Sequence, residues 1–423
     1  MTDSIVVNHS GDISADETWV GDGVMHVVPF DISIRNRATV TIEPCAVVAL
    51  GYRASITVRD SATLVSAGTD SQHFVSFRRA DVLQPWGALF NRSPTSLIDL
   101  SYTVLQGGGD LRGSYDNAGI VVSGAGYFEP PVPVLRASDL TIDSPLGAGL
   151  YLDANAAFTA DSRQISIRGA GEYAVRATMM SLGSLPEGSY RGNAIDEIMV
   201  IGPSADVFAD MTILDRGVPV RIQTSGLRVA ARPPATAPVT LTIEPGVVLK
   251  FPRMTPTQPG ARLTFGYDGR APTNTVGVLD AVGTSAKPIV FTSGELLPSP
   301  GDWVGLWLNT ANGSRLKHVE IAYAGAPSGI SSNNCRPANT PDAAALFVGD
   351  FDTQYVPPPD LITNSWIHHS AGFGIAALWA SPLYNDPDLT GTNRFESNAF
   401  CRQTYNAVTA PGGCPKVLGC TAG

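Results

Sequence analysis

The sequence predicts an all-β chain wound as a right-handed parallel β-helix, a solenoid of two tandem, internally homologous units. Three observations carry that expectation: a long-range internal repeat, short apolar runs at one-coil intervals, and a composition rich in turn formers but sparse in charge. Gly (43) and Pro (32) are spread along 423 residues, which argues against long helices, while a hydrophobic content of 43% argues against a disordered chain. Only 16% of residues are charged. A large buried surface broken by frequent turns reconciles these values.

The repeat comprises five blocks in the same order. Val40-Thr-Ile-Glu-Pro-Cys-Ala-Val-Val-Ala-Leu50 recurs as Leu241-Thr-Ile-Glu-Pro-Gly-Val-Val-Leu-Lys-Phe251, and Thr18-Trp-Val-Gly-Asp-Gly23 matches Thr212-Ile-Leu-Asp-Arg-Gly217. Gly68-Thr and Val75-Ser-Phe correspond to Gly283-Thr and Ile289-Val-Phe. Trp86-Gly-Ala-Leu-Phe answers Trp303-Val-Gly-Leu-Trp, and Leu97-Ile-Asp-Leu pairs with Leu316-Lys-His-Val. Ordered blocks at nearly constant separation mark a tandem duplication. The units expected are 1–205 and 206–400, with a cysteine-containing tail at 401–423.

Within each copy, runs such as Ser55-Ile-Thr-Val58, Phe74-Val-Ser-Phe77, Ile120-Val-Val122, Leu140-Thr-Ile142 and Ile165-Ser-Ile167 are short and apolar, bounded by Gly, Asp, Asn, Ser or Pro. They read as strands of three to five residues. Residues 172–182 are the one helix-like stretch, and their place in the rhythm predicts a strand. Corners such as Gly147-Ala-Gly149 and Gly372-Phe-Gly374 suit a chain bending sharply with positive φ. A coil of about twenty residues cannot bury its inward side chains alone and must stack on its neighbours.

Residues 241–251, then Val282-Gly-Thr-Ser-Ala-Lys-Pro-Ile-Val-Phe-Thr-Ser293 and Gly301-Asp-Trp-Val-Gly-Leu306, resemble bacterial right-handed parallel β-helix surface proteins and lipoproteins of pectin-lyase-like fold. The resemblance touches both copies. It implies the fold and an exported location, and it names no reaction. Cys45 departs from the phrase, standing where the second copy has Gly246; a corner of positive φ would strain it, and a free, partly buried thiol is expected.

The net charge of −10 and the lack of basic runs argue against a nucleic-acid partner. Apolar stretches are strand-sized, so no transmembrane span is expected. Residues 1–4 and the apolar run after them carry no export signal, yet the cysteines favour export, with a leader removed. Cys335, Cys401, Cys414 and Cys420 lie in the last quarter, where a thin tail gains most from stapling. Two disulfides are expected, Cys335–Cys401 and Cys414–Cys420 among three possible pairings. Such bonds imply an oxidising compartment.

Each candidate site has a structural alternative, which the sequence favours. Trp86 and Trp303 hold equivalent positions and would be sugar-stacking platforms or core residues. Glu43 and Glu244, each before a proline, would be ligands or caps of backbone N–H groups. Asn364-Ser-Trp-Ile-His368-His369 resembles the Trp-Ile-Asp-His segment of pectate lyases, with His in place of Asp; strand alternation would send only one of His368 and His369 outward. Asp139 and Asp143, with Asp153 and Asp161, form the densest carboxylate region, and glycoside hydrolysis needs two carboxylates at set spacing. Asp350-Phe-Asp352 is a calcium candidate set against a solvated loop; no cofactor or metal is otherwise indicated.

The function expected is a non-catalytic, monomeric, secreted or cell-surface β-helix protein, engaged in adhesion or in contact with a polysaccharide or another surface protein. The alternative is a polysaccharide lyase, hydrolase or epimerase. Filament formation is a third role, which a capping tail opposes.

Overall fold

The computed structural model describes residues 5–110, 117–202, 206–224, 226–232, 235, 237–255, 260–266, 276–309, 313–328, 343–350, 357–379, 387–407 and 416–420; the side chains of 350, 377–379, 405–407 and 416–420 lie outside the description. The chain is nearly all β, built of long parallel sheets with no closed barrel. It divides into two compact units, Met1–Gly202 with Arg216–Val218, and Pro203–Asp215 with Pro219–Gly423. An antiparallel pair, Thr404–Ala407 with Lys416–Cys420, occupies the tail. Parallel strands of one sheet joined by crossovers take the right-handed sense that strand twist imposes.

Unit 1 carries three parallel ladders, one per side of the coil. The first stacks Glu17–Trp19, Thr39–Ile42, Thr63–Ala67 and the first half of Leu97–Gln106. The second stacks Ile5–Asn8, Val24–Val28, Val47–Leu50 and Val75–Arg79, then the second halves of Leu97–Gln106 and Val132–Asp143, then Arg163–Arg168. The third runs from Ile32–Ile34 through Ile56–Val58, Leu89–Asn91, Ala118–Ser123, Ala148–Asp153 and Tyr173–Ala177 to Ile195–Val200.

Stacking places like residues over like. Ile32, Ile56, Leu89, Ile120, Leu150, Val175 and Ile198 follow one another in register, all buried. Each such side chain contributes about 1.5–3 kcal/mol on burial. One row is interrupted by Asn91, whose Nδ2 donates to the Ser96 and Val134 carbonyls at 2.8 and 3.2 Å. Its Oδ1 accepts from the Ser93 N–H at 3.0 Å, so the amide is satisfied and fixes the turn at 92–96.

Unit 2 repeats the plan. Ile213, Ile243, Ala281, Leu316 and Ile362 form one inward row, Leu249, Phe291, Ile321 and Ile367 a second, and Leu227, Leu263, Leu306, Leu346 and Ile375 a third. Internal register fixes the correspondence between copies. Trp19 pairs with Ile42 as Ile213 pairs with Ile243. The Asp16 carboxylate accepts the Thr39 N–H, and Asp210 accepts that of Thr240, both at 2.8 Å.

Two expectations need correction. The fifth repeat block is three residues out of register. Phe77 pairs with Leu105 and Phe291 with Ile321, so Leu316 corresponds to Leu100 rather than Leu97. The reason is that Leu97 and Leu100 stand three residues apart, and only the ladder distinguishes them. The stretch 172–182 is a strand only at Tyr173–Ala177; a 3-10 turn, Met179–Ser184, follows and buries Met179, Met180 and Leu182.

Candidate functional site

The second ladder alternates, so the residues beside its inward row form a row on the outer side of the sheet. In unit 1 that row reads Val27, Ala49, Arg78, Gln106, Asp143 and Arg168; Gln106 enters one residue beyond the paired Phe77 and Leu105. In unit 2 it reads Arg221, Lys250, Thr292, Ala322, His368 and Glu396. Asp143 and His368, suggested by separate sequence arguments, therefore hold the same position in their units. So do Asp139 and Asn364, both corner residues of positive φ (57° and 51°).

The unit 1 row opens into a groove whose polar lining is Arg78, Arg79, Gln106 and Ser144, with Gly107 at its floor and Met25 and Val82 adding apolar surface. Both arginines close the strand Val75–Arg79. Among the described residues neither has an ion-pair partner. The Arg79 Nη1 donates to the Val82 carbonyl at 3.1 Å, and its Nε is buried without a hydrogen bond. Sequence reasoning passed over this pair, because an Arg-Arg dipeptide following a strand is commonplace; its setting in an acidic chain was the available signal.

The unit 2 row is filled. His368 is 5% exposed, its ring stacked on Trp366 at 3.8 Å. Its Nε2 lies 3.1 Å from Glu320 Oε1, and its Nδ1 lies 2.7 Å from His369 Nδ1. Tyr323 stacks on His369 at 5.2 Å. Of the two histidines His368 is buried and His369 half-buried, yet their rings meet: the strand ends at His368, and φ of +52° at His369 turns its ring back onto its neighbour. In the tautomer that donates from Nε2 to Glu320, His368 accepts at Nδ1 from the Nδ1–H of His369, and His369 keeps a lone pair on Nε2.

Each carboxylate of residues 139–161 meets its own donor. The Ser138 hydroxyl donates to Asp139 at 3.0 Å, and Arg168 and the Ser144 hydroxyl donate to Asp143 at 3.2 and 2.9 Å. Tyr127 and Tyr151 hydroxyls donate to Asp153 at 2.6 and 3.0 Å. Hydrogen bonds from Thr159 and Arg136 push the Asp161 carboxyl down to about 2.

Trp86 and Trp303 are fully buried, which removes them as sugar platforms. Their indole N–H groups donate to the carbonyls of Gln106 at 3.0 Å and Ala322 at 2.8 Å, equivalent residues one coil onward. The Glu43 carboxylate accepts the Gly21 N–H at 3.3 Å and Glu244 accepts that of Asp215 at 2.7 Å, the capping role at equivalent corners. Cys45 is a free, partly buried thiol at φ +66°, where Gly246 has +95°. Burial and the nearby Asp22 raise its pKa.

A second histidine pair escaped the sequence reading because its members are seventeen residues apart. His9 Nε2 lies 2.9 Å from His26 Nδ1, His26 Nε2 donates to the Val20 carbonyl at 2.9 Å, and Trp19 stacks on His9 at 3.9 Å. Burial lowers the His9 pKa and His26 adds to this, against Glu17.

Cys401 is disulfide-bonded. Cys335, Cys414 and the Cys420 side chain lie outside the described residues, as does Asp352, so both pairings stay expectations. Among the described residues no three His, Cys, Asp or Glu side chains form a metal-binding group, and no helix is long and apolar enough to cross a membrane. No family model, curated protein or solved structure matches the chain.

Proposed function

We propose that this is a non-catalytic secreted or cell-surface β-helix protein that contacts an extended polysaccharide along the outer row of unit 1. The observation that carries the reading is the open groove at Arg78, Arg79, Gln106 and Ser144, set in a row that advances by one coil at a time. Coils repeat at about 4.8 Å, close to the length of one sugar ring in an extended chain, so successive coils can address successive sugars. Non-catalysis is supported by the carboxylates: Asp139, Asp143, Asp153 and Asp161 are each engaged by separate donors. Export is supported by the disulfide-bonded Cys401.

The test is a panel of soluble polysaccharides, with affinity and depolymerisation measured on the same samples. Binding without chain cleavage or new unsaturated ends is the expected result; cleavage would overturn it.

A second reading, a polysaccharide lyase, hydrolase or epimerase, is favoured by one arrangement. Glu320, His368 and His369 form a hydrogen-bonded chain that leaves His369 Nε2 able to take a proton. Under that reading His369→Ala abolishes turnover while leaving affinity intact.

A further inference from the structure

We infer that the Arg78–Arg79 groove is an oxyanion site, and that the polymer it receives carries carboxylate or sulfate ester groups. This deepens the polysaccharide reading above and rests on it.

The chain holds 38 acidic residues against 28 basic ones, so arginines should readily find carboxylates. In unit 1 Arg35, Arg53, Arg136, Arg168 and Arg176 all do. Arg78 and Arg79 are adjacent in sequence, share a concavity, and have no carboxylate within ion-pair distance among the described residues. The side-chain partner of Arg78 is a thioether, Met25 Sδ at 3.7 Å from Nη2, which satisfies a guanidinium poorly. Arg79 spends one N–H on the Val82 carbonyl and keeps Nε buried without a partner. Two guanidiniums that line one concavity and keep N–H groups beyond these bonds offer the donors that a carboxylate or sulfate accepts from.

The surroundings are shaped for this. Gly107 has φ +71°, and a Cβ added there would come within 2.3 Å of Arg79 Nε. Only glycine lets the guanidinium lie against the backbone. The next acid along the row, Asp143, is held by Arg168 at 3.2 Å, which tempers its repulsion of an incoming anion. The equivalent positions of unit 2 differ: Thr292 and Ser293 stand where unit 1 has Arg78 and Arg79, and Tyr323 stands where it has Gly107. The duplication thus yields one open, cationic groove and one filled position.

The experiment measures affinity of the full chain for polygalacturonate (carboxylate), dextran sulfate (sulfate ester) and unmodified dextran, at low and high salt. It adds NMR of the Arg79 Nε–Hε signal during titration with free galacturonate and with sulfate. The variants are R78A/R79A, the charge-keeping R78K/R79K, and Arg163→Ala as an exposed arginine on another coil. Binding to one or both acidic polymers but not to dextran is expected, with loss of about tenfold or more in R78A/R79A. A smaller loss is expected in R78K/R79K, with no change in Arg163→Ala and weakening by salt. Should R78A/R79A fail to fold, R78K/R79K and the NMR titration carry the decision. Equal binding to dextran, unchanged in the double variants, would overturn the oxyanion site while leaving polysaccharide contact standing. No polymer bound, yet an Arg79 signal shifted by free anions, would keep the site and sink polysaccharide contact. No binding and no shift would sink both.

Discussion

Asp143 and His368 occupy one register position in two copies of the same coil: Asp143 pairs with Gln106 and Arg168 across its ladder, and His368 pairs with Ala322 and Glu396. Duplication therefore supplied one backbone address to two unlike side chains. In unit 1 the address is a partly exposed carboxylate, ion-paired to Arg168; in unit 2 it is a buried imidazole closed in by Trp366 and Glu320.

The consequence for stability differs accordingly. Asp143→Ala removes a pair whose arginine is 59% exposed, and is expected to cost less than about 1 kcal/mol. His368→Ala removes a stacked, buried ring and strands Glu320, and should cost about 1–3 kcal/mol. Urea midpoints of the two variants, compared at one pH, check the order.

Trp86 and Trp303 should behave as core residues in both copies. Trp→Phe at either site keeps the packing but leaves the Gln106 or Ala322 carbonyl without its indole donor, at about 1–2 kcal/mol. Trp→Ala should cost about 3–5 kcal/mol. Thermal melts read both, and polysaccharide affinity of the folded Phe variants should be unchanged. A selective loss of affinity would return these residues to the ligand surface.

The corner shared by Cys45 and Gly246 yields a pair of opposite effects. Cys45→Gly relieves a side chain held at φ +66° and should stabilise by about 0.5–1 kcal/mol, the left-handed penalty less glycine's added freedom when unfolded. Gly246→Ala should destabilise by about 1 kcal/mol or more, since its Cβ would meet Asp215 Oδ2 at 2.8 Å. Guanidinium titrations of both variants provide the measurement.

Asp302 gives unit 2 an acid-sensitive point. Burial acts to raise its carboxyl pKa, but hydrogen bonds from Arg253, Ser293 and the Ser299 N–H outweigh it, and the group lies below its ordinary value. A carboxyl lowered by folding stabilises fully above its unfolded pKa of about 3.9 and loses that contribution as pH falls through the lower folded value. Thermal stability should therefore fall on acidification below about pH 4. Asp302→Asn should flatten that slope while costing on the order of 1–3 kcal/mol at neutral pH.

Peptide mapping of non-reduced protein tests the tail. Cys335–Cys401 and Cys414–Cys420 are the linkages expected, with Cys45 recovered as a free thiol. A free Cys335 would refute that pairing.

Much of the fold was legible because coil stacking imposes local rules. The Thr-Ile-Glu-Pro corners, the strands Ile120–Val122 and Ile165–Ile167, and the equivalence of Glu43 with Glu244 or Trp86 with Trp303 follow from repetition and alternation alone. The groove was not legible. Arg78 and Gln106 are far apart in sequence and become neighbours in one row only when Phe77 pairs with Leu105. His9 and His26 meet only because Ile5–Asn8 lies against Val24–Val28.

The sequence by itself determined that short strands would coil, that two copies would do so, and that glycine-like corners would turn them, since each depends on residues close along the chain. Register between coils, and with it the closure of the unit 2 row and the opening of the unit 1 groove, was decided by tertiary structure. A side chain's neighbours across a parallel ladder come from the next coil, and a loop of any length between two strands can set which residues meet.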